Sequence, residues 1–472
     1  MLGAGGCGKK EELVIFATAR SQGKIRTDEA SGVGGFAVFK ALYDAEPGPK
    51  LALDLGGWTS PLEPEGWFSK GRSCVDCLSA VPYAAAAAGF TDLSLAPKDL
   101  QNLAEAAKLP ILASNLYLRN NKKPDFLRSW HIVSAGSRKV GVFSLAVNSP
   151  ANYNSQKHLP GYKLEKATYE AERAIRALRE NGAGLVVMLL VVNPAEKADQ
   201  EFFRGLLAKL PRLDLVITDE PSLKKPFKVN RAWVAPAGLG MSRAARLALR
   251  LDAGGRVAGL KYSQPELDPE KYGEEAEMLK VIAGHERALA AHFGRKIGFL
   301  NASLPLEEGG AYPAADFAAD CMRRWARTNS AIIPLKEPAA GFSSGPVTTG
   351  DLYRAFPQDS SVVFVKIRGE DLERALAALR PAELSVSGLR LFLHNGTLER
   401  VETETGPLAP GRIYQVAVPD SLTSGRDNPV LYSAAEFANS KRHLRDVMGW
   451  CFSLRTAFAR PPGGRVMVSG DK

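Results

Sequence analysis

The chain has 472 residues, 45% of them hydrophobic and 24% charged, with 61 basic and 51 acidic side chains. That length exceeds one ordinary core and calls for two or three domains, and the composition is that of a globular protein rather than a disordered one. The formal charge of +10 is interspersed, with no basic block carrying aromatics, which argues against a nucleic-acid surface; no apolar run reaches the roughly 18 residues that span a bilayer.

At the N-terminus, small residues lead directly into Cys7 and a polar stretch follows. This looks like the end of a bacterial lipoprotein signal. Residues 1–12 are therefore expected to be a tether lipidated at Cys7, giving membrane attachment in a cell-envelope compartment where disulfides persist. A Gly-rich start with an incidental cysteine is the alternative. Residues 13–18, LVIFAT, read as a strand, followed by a Gly-rich stretch and a helix over 36–43. LALDL at 51–55 is a second strand that breaks at Gly56-Gly57. A helix is expected over 74–88, a strand at TDLSLA (91–96), a helix over 99–108 and a strand at 110–114. Two strands split by Ser137-Arg138 read as a hairpin. The helix at 165–181 stops at Asn181-Gly182, and GLVVMLLVV is a buried strand followed by a helix at 195–209 and the strand LDLVIT. A hairpin spans 244–262. The charge-rich segment 264–295 reads as a connecting helix. Mixed elements resume beyond it: a helix at 314–327, a strand at 361–367, a helix at 369–379, a hairpin around Asn395-Gly396 and a strand at 412–418. The Pro/Gly-rich tail 461–472 is expected to be loose. The alternation of strands and helices specifies a layered α/β domain over 13–263, and a second domain occupies 296–460.

The chemistry-bearing motif is Cys74-Val75-Asp76-Cys77. With Ser73 as N-cap, both thiols would fall in the first helical turn, where the helix dipole favours a thiolate. The pair reads either as a structural disulfide or as a redox dithiol, with Cys74 as nucleophile and Cys77 as resolving thiol. Neither a second CxxC nor a nearby His completes a metal site. Cys321 and Cys451 read as buried thiols able to pair with each other.

From about Leu13 to about Phe458 these motifs resemble the bacterial 5'-nucleotidase and UDP-sugar hydrolase (UshA-like) metallophosphatase family. The resemblance implies a layered α-β-β-α metallophosphatase-like N-terminal domain, a connecting helix and an α+β 5'-nucleotidase C-terminal-like domain. In that family the first strand ends in Thr-Asn-Asp-x-His-Gly, whose Asp and His hold a metal; here it ends Thr18-Ala19-Arg20-Ser21-Gln22-Gly23. The second strand ends in Gly-Asp, and that Asp bridges two metals; here the position is Gly57. Leu-Gly-Asn-His-Glu is matched to Leu95-Ala96-Pro97-Lys98-Asp99, the Ser-His strand end to Val191-Val192-Asn193, and Gly-Gly-His-Ser-His to Thr218-Asp219-Glu220-Pro221-Ser222. The second half resembles the family's substrate-binding domain at Gly345–Tyr353, but Pro334–Gly341 stands where the family has Asn-Gly-Gly-x-Arg. The six histidines lie outside these motifs. The Cys pair resembles an UshA-like subgroup, some with selenocysteine, in which such a pair accompanies a degenerate phosphatase domain.

Two divalent cations in one cleft need several imidazole and carboxylate ligands. Arg20 and Lys98 would put positive charge in their place, so no metal and no other cofactor is expected. Three functions follow. The first is an inactive relative binding a phosphorylated small molecule through Arg20, Gln22, Lys98 and Asp99. The second is a thiol redox protein acting on a redox partner through Cys74 and Cys77. The third is an active 5'-nucleotidase or UDP-sugar hydrolase with an atypical site.

Overall fold

The computed structural model describes residues 12–28, 31–60, 64–148, 157–159, 161–193, 195–210, 212–252, 255–358, 360–423, 436–454 and 461–469. Cys7 and the expected tether up to residue 11 lie outside them. The chain divides into two compact units between Arg287 and Ala288, within the segment read as a connecting helix.

The first unit runs β1 (Glu12–Ala19), α1 (Phe36–Ala45), β2 (Lys50–Asp54), α2 (Pro64–Ser69), α3 (Arg72–Ala80), β3 (Tyr83–Ala87), α4 (Pro97–Ala106) and β4 (Ile111–Leu112). It continues through β5 (Leu116–Leu118), β6 (Trp130–Ala135), β7 (Arg138–Val147), β8 (Lys157–Leu159), β9 (Tyr162–Leu164), α5 (Ala167–Glu180), β10 (Leu185–Val192), α6 (Gln200–Ala208) and β11 (Leu215–Thr218). Strands β12 (Phe227–Val229), β13 (Ala232–Pro236), β14 (Gly238–Leu239), β15 (Ala245–Leu251) and β16 (Val257–Ser263) lead to α7 (Pro269–Tyr272) and α8 (Ala276–Phe293). One sheet has the order β16-β15-β1-β2-β3-β4 and the other β12-β13-β11-β10-β7-β6. Strands β1 to β4 are mutually parallel, as are β7, β10, β11 and β13.

Strand periodicity explains the layering. In β1, Leu13, Ile15 and Ala17 face the inter-sheet core, where they meet Leu185, Val187 and Leu189 of β10. Val14 and Phe16 point the other way, onto α1 and α3. Likewise Val186, Met188 and Leu190 face α5 and α6. Strands buried on both faces read as continuous apolar runs, and the four layers follow.

Two expected elements differ. The helix at 74–88 is two elements, α3 and β3, and TDLSLA is a single 3-10 turn at Asp92–Ser94. Tyr83-Ala84-Ala85-Ala86-Ala87 has high helix propensity, yet it pairs with β2 and β4. Ala85 and Ala87 face the second sheet. Tertiary packing decides over propensity. The N-cap of α3 is Gly71, not Ser73, because its left-handed backbone (φ 87) requires glycine.

The second unit contains β17 (Lys296–Leu300), α9 (Pro313–Ala326), β18 (Ser330–Pro334), β19 (Gly345–Thr348), α10 (Thr349–Ala355), β20 (Ser361–Arg368) and α11 (Gly369–Ala378). Strands β21 (Leu384–Ser387), β22 (Leu389–His394), β23 (Thr397–Thr403), β24 (Gly406–Pro407), β25 (Ile413–Pro419) and β26 (Glu436–His443), helix α12 (Leu444–Ser453) and β27 (Val466–Ser469) complete it. A five-stranded sheet β21-β18-β25-β20-β26 and a four-stranded sheet β24-β23-β22-β27 carry the unit. Thr348 and Asp351 form a capping box that starts α10. The tail expected to be loose is tied down: β27 pairs with β22, and Arg465 grips Asp320 through two bonds of 2.8 and 2.7 Å.

Cys321 of α9 and Cys451 of α12 are not thiols but a disulfide, with Cα atoms 5.8 Å apart. It closes a long loop, 130 residues in separation, so it restricts the unfolded chain strongly. Replacing both cysteines with alanine is expected to cost about 2–4 kcal/mol, seen as a lower denaturant midpoint under non-reducing conditions. An unchanged midpoint would show that the helices hold together without it.

Candidate functional site

In open parallel sheets ligand sites lie beyond the carboxyl ends of the strands, and there the two sheets of the first unit bring β1, β2, β3, β10 and β11 to an end. Strand β1 continues into Arg20 and Gln22, both left-handed with φ 53 and 54, conformations that carry strain away from glycine. The turn is stitched to β2: Arg20 N–H donates to the Gly56 carbonyl at 2.7 Å and Gln22 N–H to the Gly57 carbonyl at 2.8 Å.

The Arg20 side chain crosses to the other sheet. Its Nε donates to Asp219 Oδ2 at 2.8 Å, and Nη2 reaches the Val192 carbonyl at 3.3 Å. Asp219 Oδ1 accepts from the Val192 N–H at 2.8 Å, so one carboxylate joins the ends of β1, β10 and β11. Burial pushes the Asp219 carboxyl up; the Arg20 guanidinium and the Val192 N–H offset part of that. Neighbouring Glu220 is committed as well, accepting from the N–H groups of Ala198 and Ser222 at 2.8 and 2.9 Å.

Gly57 is held by contact. A Cβ placed there would lie 2.9 Å from Arg20 Cα, and one at Gly89 only 2.0 Å from Gly57 N. Asp92 clamps this crossing of backbones. Its carboxylate accepts from the N–H groups of Gly57, Trp58, Thr59 and Gly89 at 2.7 to 3.1 Å. Full burial nonetheless pushes Asp92 up to about 6. Behind it, Asp54 accepts from Thr18 Oγ1 at 2.6 Å, Gly56 N–H at 2.8 Å and Trp58 Nε1 at 2.9 Å; burial is the larger influence and pushes it up to about 7.

The strand that ends in the cleft after β2 is β3, followed by Ala88-Gly89-Phe90-Thr91-Asp92. By place in the fold this segment, not Leu95–Asp99, is the counterpart of Leu-Gly-Asn-His-Glu, and Phe90 and Thr91 take the Asn and His places. Lys98 is exposed on the first turn of α4, and Asp99 pairs with exposed Lys70 at 3.0 Å. A cationic pocket shared by Arg20 and Lys98 therefore has no basis in the geometry. Gln22 stays beside Arg20 and is half-buried.

Cys74 and Cys77 are both buried and not bonded to each other. Cys74 faces Ser21 and Gly23, beneath the turn that follows β1. Burial pushes Cys74 up to about 12 and Cys77 well above its usual value. This reverses the expected lowering: loss of hydration outweighs the helix dipole, and Cys77 lies in the second turn. Asp76 between them points to Arg72 and His285, at 2.7 and 3.3 Å.

A dinuclear centre does not fit these residues. The strand ends supply Arg20, Gly57, Phe90 with Thr91, Asn193 and, at the two His places of the last motif, Glu220 and Ser222; the Glu220 carboxylate is taken by the N–H groups of Ala198 and Ser222, and that of adjacent Asp219 by Arg20. Among the described residues no group of three His, Cys, Asp or Glu side chains converges. Sequence reasoning matched Asp219 to a glycine of the last motif and missed it as the partner of Arg20. The available signal was charge: an arginine at one buried strand end requires an acid at another.

Residues 292–436 match the family of 5'-nucleotidase C-terminal domains. Over 430 residues, 85% of this chain and 90% of the other, the sequence is 23% identical to YunD of Bacillus subtilis, an uncharacterised metallophosphoesterase. The fold is that of the two-domain 5'-nucleotidases. The 5'-nucleotidase precursor of Thermus thermophilus aligns over 97% of this chain and 99% of its own, with TM-score 0.62 and 19% identity. The NAD nucleotidase of Haemophilus influenzae aligns over 98% and 99%, with TM-score 0.58 and 15% identity.

The ion pair and the buried acid behind it can each be tested. Arg20→Ala leaves a buried carboxylate without its cation and is expected to cost about 3–5 kcal/mol, whereas the uncharged pair Arg20→Gln with Asp219→Asn costs less than the single change. Denaturant melts of Arg20→Gln, Asp219→Asn and the double variant measure this coupling; additive effects would show that the pair is incidental. The second test concerns Asp54, whose proton is held more tightly in the folded than in the unfolded chain. Its stabilisation is complete below about pH 4 and is lost as pH rises through about 7. Asp54→Asn should therefore flatten the fall in melting temperature between about pH 5 and pH 8, and an unaltered slope would place the effect elsewhere.

Proposed function

We propose that this chain is a cell-envelope protein with the 5'-nucleotidase scaffold that has given up dinuclear phosphoester hydrolysis and binds a phosphorylated small molecule at the strand ends of its first unit. The observation that carries this reading is the Arg20–Asp219 pair. It puts a guanidinium, permanently charged and braced at Nε, where the resemblance puts the ligands of a divalent cation. Arg20 keeps part of its side chain open, 15%, and a fixed guanidinium suits phosphate oxygens. The names of the 5'-nucleotidase and NAD nucleotidase relatives support a nucleotide as the ligand class. The envelope location rests on Cys7 and on the Cys321–Cys451 disulfide, a bond that persists in oxidising compartments.

Thiol chemistry takes no part in the resting state of this reading, because Cys74 and Cys77 are buried and protonated at neutral pH. The active-hydrolase alternative requires ligands that the strand ends do not provide.

The test uses the purified full chain. AMP is expected to bind equally with and without chelator, to escape hydrolysis when manganese or zinc is added, and to bind at least about tenfold more weakly to the Arg20→Gln/Asp219→Asn variant, a loss of about 1.4 kcal/mol. Thiol titration of the same sample should find Cys74 and Cys77 unreactive until the protein unfolds. Stoichiometric metal accompanied by turnover of AMP would overturn the reading in favour of an active phosphoesterase.

A further inference from the structure

Two adjoining open depressions on the surface of the second unit, of about 500 and 410 Å³, share Asp320, Arg323 and Ser387; Arg324, Arg327 and Arg390 on their walls are exposed. Among the described residues their walls carry five arginines against two carboxylates: Arg324 and Arg327 in the first, Arg390 and Arg465 in the second, Arg323 in both, with Asp320 and Glu404 opposing them. Two of the arginines are structural. Arg465 is held by Asp320, and Arg323 donates to Glu404 at 2.6 Å. Among the described residues, no ion pair or hydrogen bond engages the guanidinium groups of Arg324, Arg327 or Arg390.

One basic side chain in the last turn of a helix complements its dipole. Here Arg323, Arg324 and Arg327 at the end of α9 are joined by Arg390 of β22 and Arg465 before β27, which is more positive charge than the dipole calls for. The backbone supports the arrangement. Arg327 caps α9 in the left-handed region, φ 54, where glycine is the favoured residue. Gly388 lets the turn between β21 and β22 approach the helix: a Cβ there would lie 2.9 Å from the Arg323 guanidinium carbon and 2.3 Å from the Asn329 carbonyl.

We infer that this pair of depressions is an anion site distinct from the cleft at Arg20, and that its ligand is a small molecule carrying two linked phosphate groups. A volume near 500 Å³ is in the range of small-ligand sites. One phosphate group carries roughly two negative charges at neutral pH, fewer than the three unengaged arginines supply, and guanidinium forks grip phosphate oxygens two at a time.

Pyrophosphate is the probe, titrated calorimetrically into the full chain at low salt, with inorganic phosphate as comparison. Pyrophosphate is expected to bind at least tenfold tighter than phosphate. Arg324→Ala/Arg327→Ala should weaken it at least tenfold, while Arg119→Ala/Arg176→Ala, which removes the same charge from exposed positions in the first unit, leaves it unchanged. Saturating AMP, which fills the proposed cleft, should leave this binding in place, which separates the two sites. Arg327→Gly gives a readout that a purely structural residue would not: the left-handed cap is relieved, so the melting temperature holds or rises while affinity falls. Absence of pyrophosphate binding at millimolar concentration, or equal weakening by both double-alanine variants, would overturn the inference.

Discussion

Two stacked sheets end together at their carboxyl edges, and a single ion pair, Arg20 with Asp219, crosses from one to the other. Each partner makes the other tolerable at that depth. Asp219 alone would be an acid in an apolar sandwich, driven to hold its proton; Arg20 alone would place a cation that cannot discharge there. Paired, they also satisfy Val192 at both its N–H and its carbonyl. The ends of β1, β10 and β11 are thus fixed relative to one another by one carboxylate.

The changes at the neighbouring strand ends are coupled to that pair. Gly57 has no room for a side chain while Arg20 occupies its place, since the backbones of the two turns already touch through the bonds at Gly56 and Gly57. Gly89 is closed off by the same crossing, with Asp92 collecting the N–H groups that the crossing exposes. A carboxylate reintroduced at position 57 alone would meet Arg20 before it met a metal. The residues at these strand ends therefore form one interlocked packing.

Most of the layered fold was legible in the sequence because its strands are long and apolar on both faces and its helices have clear apolar faces and stops; Leu185–Val192 and Ala167–Glu180 are examples. β3 was not. A run of alanines reads as helix by propensity, and its pairing with β2 and β4 makes it a strand. That one error displaced the next motif by seven residues, from Ala88–Asp92 to Leu95–Asp99, and brought Lys98 into a site it does not line. Cys74 and Cys77 misled for a different reason. Whether a thiol is lowered by a helix dipole or raised by burial depends on depth, and the spacing of Cys74 and Cys77 carries no information about depth. The disulfide between Cys321 and Cys451 and the anchoring of Arg465 depend on contacts far apart in sequence, which local patterns do not report.

In the proposed cleft a guanidinium stands where the resemblance puts a divalent cation, and that sets the chemistry open to it. A divalent metal does two things to a phosphate ester: it draws off charge from the phosphoryl oxygens, and it lowers the pKa of a bound water so that hydroxide is available near neutral pH. A guanidinium can perform the first through paired hydrogen bonds but not the second, because it has no vacant orbital for water and keeps its own protons. Nor do the nearby acids supply a base, since Asp219 is engaged by Arg20, Asp92 by four N–H groups, and Asp54 lies buried behind the turn at Gly56. On the proposed function, this cleft would recognise the anion without activating a nucleophile.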